Sequence, residues 1–90
     1  MSQALDGKFS GVVIRTRDGK VIPPDRYIVF MAHDNALPAT LDFYRDECAR
    51  MGVGKEQLAA VDRLRTRLAQ WRDSHGDELK WPDALPGECP

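Results

Sequence analysis

The sequence predicts a small α+β fold: an antiparallel sheet made of an N-terminal hairpin and a third strand, then a two-helix hairpin, then an irregular proline-rich tail. Three observations carry this reading. Residues 8–32 gather β-branched residues around an Asp-Gly pair, residues 35–75 place apolar side chains three and four apart, and residues 76–90 hold three prolines and no periodicity. The segment 1–7 is expected to fray. At 90 residues the chain is expected to be a single domain with a small core.

The strands come first. Val12, Val13, Ile14 and Thr16 favour extended backbone. Asp18-Gly19 is a strong signal for a two-residue turn, because both turn positions want positive φ. That turn would set Arg17 opposite Lys20 and Thr16 opposite Val21, an unfavourable like-charge pair unless it is splayed or holds an anion. Pro23 and Pro24 cannot donate to a ladder and end the second strand. Residues 26–32, RYIVFMA, are nearly all apolar and read as a third strand covered on both faces.

The helices follow. Asp34 or Asn35 is the natural N-cap of the first, and Pro38 fits its first turn, where amides lack intrahelical partners. Leu37, Leu41, Tyr44, Cys48 and Met51 then mark one helical face, and Gly52 ends it. A second helix runs from Lys55 to Ser74 with a stripe of Leu58 (or Gln57), Val61, Leu64, Leu68 and Trp71. That spacing suits an antiparallel partner helix or a seam between subunits, so these residues are the candidate oligomer or partner interface. Asp62, Arg63, Arg65, Arg67, Gln70 and Arg72 fall on its other faces, and Gly76 breaks it. Leu79 and Trp81 could anchor the tail.

Composition excludes several function classes. Thirteen basic against fourteen acidic residues leave a net charge of −1, which opposes tight non-specific nucleic-acid binding. Asp62 and Asp73 also interrupt the arginine-rich second helix, so nucleic acid is an unlikely partner. Neither a membrane span nor a signal-peptide pattern is legible. The two cysteines make no disulfide framework, so a cytoplasmic chain with reduced thiols is expected. Cys48 belongs to the core face, and Cys89 is incidental to the tail.

Catalytic motifs are wanting. A metal would have to gather His33, Cys48, His75 and Cys89 without any ligand spacing, and no cofactor is expected. GVGKEQ lacks the first glycine and the Ser/Thr of a phosphate loop and follows a helix, so it reads as an inter-helix turn. Asp42 and Asp46 read as surface charge patterning. The chain is therefore expected to be non-enzymatic.

A binding role remains. Arg15, Arg17 and Arg26 lie on or beside the hairpin, where guanidinium forks could hold phosphate. Tyr27 or Tyr44 could stack a base, Asp34 or Asn35 could read hydroxyls or base edges, and His33 and Thr40 border the same helix start. Its free amides offer a site for an anion. These residues are the candidate ligand site.

The segments YIVFMAHDNALPATLDFYRDEC, QLAAVDRL and KWPD, spanning Tyr27 to Asp83, resemble small accessory proteins of tailed phages. The resemblance implies a role without catalysis, in which a protein of this size blocks a host protein or sequesters a nucleotide signal used in host defence. The expected function is thus a homo-oligomeric counter-defence protein that captures a nucleotide-like molecule. The alternative is a protein–protein module that inhibits a host protein or serves as a virion component.

Overall fold

Short local signals build the N-terminal third of the chain. In the computed structural model, which describes residues 3–82, strands β1 (Val13–Ile14) and β2 (Val21–Ile22) pair antiparallel, Val13 with Ile22 and Ile14 with Val21. The turn between them is longer than Asp-Gly predicts. Gly19 has φ +68°, but Asp18, like every other non-glycine residue described, keeps negative φ. A two-residue turn of the expected type needs positive φ at both positions. Instead the Arg15 N–H bonds the Lys20 carbonyl at 2.8 Å, and the Gly19 N–H bonds the Arg15 carbonyl at 2.8 Å, so residues 16–19 form the loop. Arg15 now faces Lys20. Its guanidinium grips the Asp18 carboxylate (Nε to Oδ1, 3.0 Å), which compensates the charge opposed to Lys20. The slip is two residues, so each side chain keeps its face of the ribbon.

Among the described residues the third strand is not formed. Pro24–Arg26 winds into a 3-10 turn, and residues 27–30 are left without a ladder partner among the described residues. Side chains hold that segment instead. The Asp6 carboxylate accepts from the Val29 N–H at 3.0 Å, and the Tyr27 hydroxyl donates to the Gly11 carbonyl at 2.8 Å. Ile28 and Phe30 are exposed rather than covered. Leu5, expected to fray, donates its N–H to the Pro24 carbonyl at 3.2 Å.

Residues 31–82 are built on two helices. Helix α1 spans Leu37–Arg50 and α2 spans Lys55–Ser74. The N-cap of α1 is Ala36, without a side-chain cap, rather than Asp34 or Asn35. Asp34 acts one step earlier, its Oδ1 accepting from the Ala36 N–H at 2.8 Å, while Asn35 turns its side chain to α2. At the other end Gly52, with φ +80°, follows the last helical turn. The Gly52 N–H reaches the Ala49 carbonyl at 3.1 Å, and the Val53 N–H reaches the Cys48 carbonyl at 3.2 Å. This is the Schellman closure, which only glycine enters without steric cost. It reverses the chain so that α2 returns along α1.

Leu37, Cys48 and Val61 are the buried apolar side chains among the described residues, at 8, 7 and 5% exposure. Beyond α2, Gly76–Glu78 forms a second 3-10 turn, and Lys80 makes an isolated parallel bridge with Asp34. The start of the tail is thus anchored by backbone rather than by Trp81, which is 79% exposed. The rest of the expected tail, with Cys89, lies outside the described residues. By contact density the described chain forms two compact units, one within residues 3–30 and the other Met31–Pro82.

Candidate functional site

The predicted ligand residues are divided between the two units. Arg15, Arg17, Arg26 and Tyr27 belong to the first, and His33, Asp34, Asn35, Thr40 and Tyr44 to the second. In the first unit Arg15 is committed to Asp18, and Arg26 makes a long contact with its neighbour Asp25 at 3.5 Å. Asp18 is held below the ordinary carboxylate range by the Arg15 guanidinium and the Lys20 N–H. Tyr27 is half-buried with its hydroxyl occupied by Gly11. Arg17 and Lys20, at the hairpin tip, are exposed and make no side-chain bond among the described residues.

In the second unit Asp34 and Asn35 do converge, together with Ala32, but on Arg72 of α2 rather than on an open site. Arg72 of α2 donates Nη1 to the Ala32 and Asp34 carbonyls, both at 3.0 Å, and Nη2 to Asn35 Oδ1 at 2.8 Å. Backbone bonds from Lys80 to the His33 carbonyl and from Asn35 to the Lys80 carbonyl, each 2.8 Å, close the corner. Thr40 returns its hydroxyl to the Ala36 carbonyl at 2.7 Å. The corner that begins α1 is therefore a structural joint, its polar groups matched to one another.

The seam between α1 and α2 is rotated from the apolar stripes. Leu58, Val61 and Leu68 lie on it, but Arg65 and Arg72 complete the three-and-four spacing in place of Leu64 and Trp71. Arg65 bonds Asp42 (Nε to Oδ1, 2.9 Å) and Asp62 (Nη1 to Oδ1, 3.1 Å), and Arg45 bonds Asp62 at 3.2 Å. The apolar stems of these arginines lie along the seam while their heads reach the carboxylates. The pairs Asp42–Arg65 and Arg45–Asp62 fix one antiparallel register and close one face of the helical hairpin with charge.

The opposite face carries the apolar excess, with Glu47 and Arg67 set among it. By helical spacing Tyr44 and Met51 lie on the flank of α1 away from Asp42, and Leu64 and Trp71 on the flank of α2 away from Asp62. Tyr44, Met51 and Leu64 are 51, 68 and 48% exposed. The Cys48 thiol one turn on raises the Tyr44 phenol above its ordinary pKa. Trp71 is half-buried and stacks on His75 at 4.1 Å and 11°. Sequence reasoning missed Arg65 and Arg72. The run Leu58, Val61, Arg65, Leu68, Arg72 keeps the same three-and-four spacing as the apolar run begun at Gln57, so spacing alone did not single them out.

A groove of about 310 Å³ lies on the charged face, lined by Pro38, Leu41 and Leu68 together with Asp42, Arg65, Arg72 and Asp73. Of these charges Asp42, Arg65 and Arg72 are already paired. Among the described residues no group of three or more His, Cys, Asp or Glu side chains is placed to hold a metal, and no helix is long and apolar enough to cross a membrane.

Compared with protein families, curated proteins and solved structures, the chain matches none.

Proposed function

We propose that this chain is a non-enzymatic protein-binding module whose N-terminal β-hairpin docks on an extended segment of another protein. One observation carries the reading. Among described residues 3–30 no side chain is buried, and Val13, Ile14 and Val21 of the two strands remain 44, 56 and 54% exposed. A lone two-stranded hairpin is marginal in water. An added strand would satisfy its open edge and cover its apolar residues. In this reading residues 27–30, extended but unpaired, join the ladder when the partner binds and supply the third strand. The setting is the host cytoplasm of a phage accessory protein, and the partner is a host protein.

Affinity capture with the wild-type chain and an Ile14→Asp/Val21→Asp double variant, run in parallel, tests this. A protein held in stoichiometric amount by the wild type and lost by the variant supports hairpin docking. Equal capture by both chains, or by neither, removes the hairpin from the function.

Capture of a nucleotide-like anion is the second reading. It draws support from Arg17 in the loop and Lys20 beside it, two exposed cations that make no side-chain bond among the described residues. Native mass spectrometry separates the two, because nucleotide-mass adducts lost in an Arg17→Ala/Lys20→Ala variant would favour the anion.

A further inference from the structure

We propose that the apolar face of the helical hairpin, built on Tyr44, Met51, Leu64 and Trp71, is covered by the same face of a second copy of this chain. The inference concerns the second unit and stands apart from hairpin docking by the first. It begins with a mismatch. The apolar stripes of α1 and α2 are wider than the seam they share, and the excess on both helices falls to the same side. Arg65 and Arg72 draw the seam toward the charged face and leave Leu64 and Trp71 outside it.

Three features choose a second copy as the occupant. The first is need. Three buried side chains among the described residues are a small core for two helices of 14 and 20 residues, and a permanent partner in equal amount completes it most directly.

The second feature is symmetry. In the register set by Asp42–Arg65 and Arg45–Asp62, Tyr44 and Leu64 lie level at mid-hairpin, with Met51 toward one end and Trp71 toward the other. A two-fold axis across the middle of the face brings Tyr44 and Leu64 beside their own copies. It also sets the Met51 end of each chain against the Trp71 end of the other, and thioether–aromatic contacts are favourable. The product is a four-helix bundle.

The third feature is size and charge. Helix α1 is about 21 Å long, so two adjacent helices present roughly 400 Å² in projection, the small end for a dimer. The face carries two charges of opposite sign: Glu47, between Tyr44 and Met51 and already paired with Arg50, and Arg67, between Leu64 and Trp71. The same two-fold axis sets the Arg67 of each chain level with the Glu47 of the other, so the copies meet with complementary charge.

Sedimentation equilibrium of the full chain, over roughly two decades around micromolar concentration, reads the result. A concentration-dependent mass reaching twice 10.1 kDa is expected. Leu64→Glu and Tyr44→Glu should each weaken the dimer by at least about tenfold while helical circular dichroism is retained, since both positions are half exposed. Should either variant unfold, a Leu64→Cys chain in a Cys89→Ser background decides, because a residue at the two-fold axis cross-links to itself under mild oxidation. A wild-type mass that stays at one chain throughout overturns the proposal. So does a dimer that survives both substitutions, or a Leu64→Cys chain that does not cross-link. Failure of hairpin docking would leave these masses unchanged.

Discussion

At the scale of single residues, Arg72 ties α2 to the segment that precedes α1. Its planar fork reaches two carbonyls and an amide oxygen at once. A lysine could satisfy one of these acceptors but not all three, because an ammonium is a point charge on a flexible stem. Hydrogen bonds to a charged group contribute about 1.5–3 kcal/mol, so Arg72→Ala should destabilise the unit by about 2 kcal/mol. Arg72→Lys should recover less than half of that. Urea unfolding of the three proteins checks the claim, and full recovery by lysine would show that only charge or stem packing matters there. Asp34 teaches the same lesson in a smaller way. Its residue type announces a helix start, and it does serve one, but as the turn that precedes the cap.

At the scale of elements, the two helices are joined by a narrow apolar seam and by four charges. Asp62 is shared by Arg45 and Arg65, and the Arg45 guanidinium, with Arg65 beside it, holds its carboxyl below the ordinary 3.8. A carboxyl lowered on folding adds stability above its unfolded pKa and loses it as pH falls through the lowered folded value. The helical hairpin should therefore weaken on acidification below about pH 4, where protonation of Asp62 begins to oppose folding. Asp62→Asn should flatten that part of the curve. Thermal melts between pH 5 and 2 would show it, and identical slopes for both proteins would assign acid sensitivity to other carboxylates. Added salt should act in the same direction, since the cluster is solvent-facing and screened. The β-hairpin differs in kind. Its ion pair Arg15–Asp18 shapes the turn and, among the described residues, joins no second element.

At the scale of the whole molecule, the two units are unequally built. The helical unit holds every buried apolar side chain described, and the N-terminal unit holds none. Amide exchange follows local stability, so protection should concentrate in Leu37–Arg50 and Lys55–Ser74 and be slight at Val13–Ile14 and Val21–Ile22. Binding of a protein partner at the hairpin should raise protection there and leave the helices unchanged. Equal protection of both units in the free protein would mean that residues 3–30 already have their cover, and would remove the reason for hairpin docking.

The sequence by itself determined the α+β class, both helices, the glycine that closes α1 and the site of the hairpin turn. Each rests on local chemistry: helical spacing, a glycine at positive φ, and β-branched residues around Asp-Gly. Only the tertiary structure decided which part of each apolar stripe is covered. Leu58, Val61 and Leu68 fit two helical faces equally well, one continued by Leu64 and Trp71 and the other by Arg65 and Arg72. The choice fell to the arginines because carboxylates on both helices and carbonyls before α1 were within their reach, and no local pattern records those partners. The third strand was undecidable for the same reason. Residues 27–30 have the composition of a strand, but a strand exists only where another backbone lies alongside to pair with it.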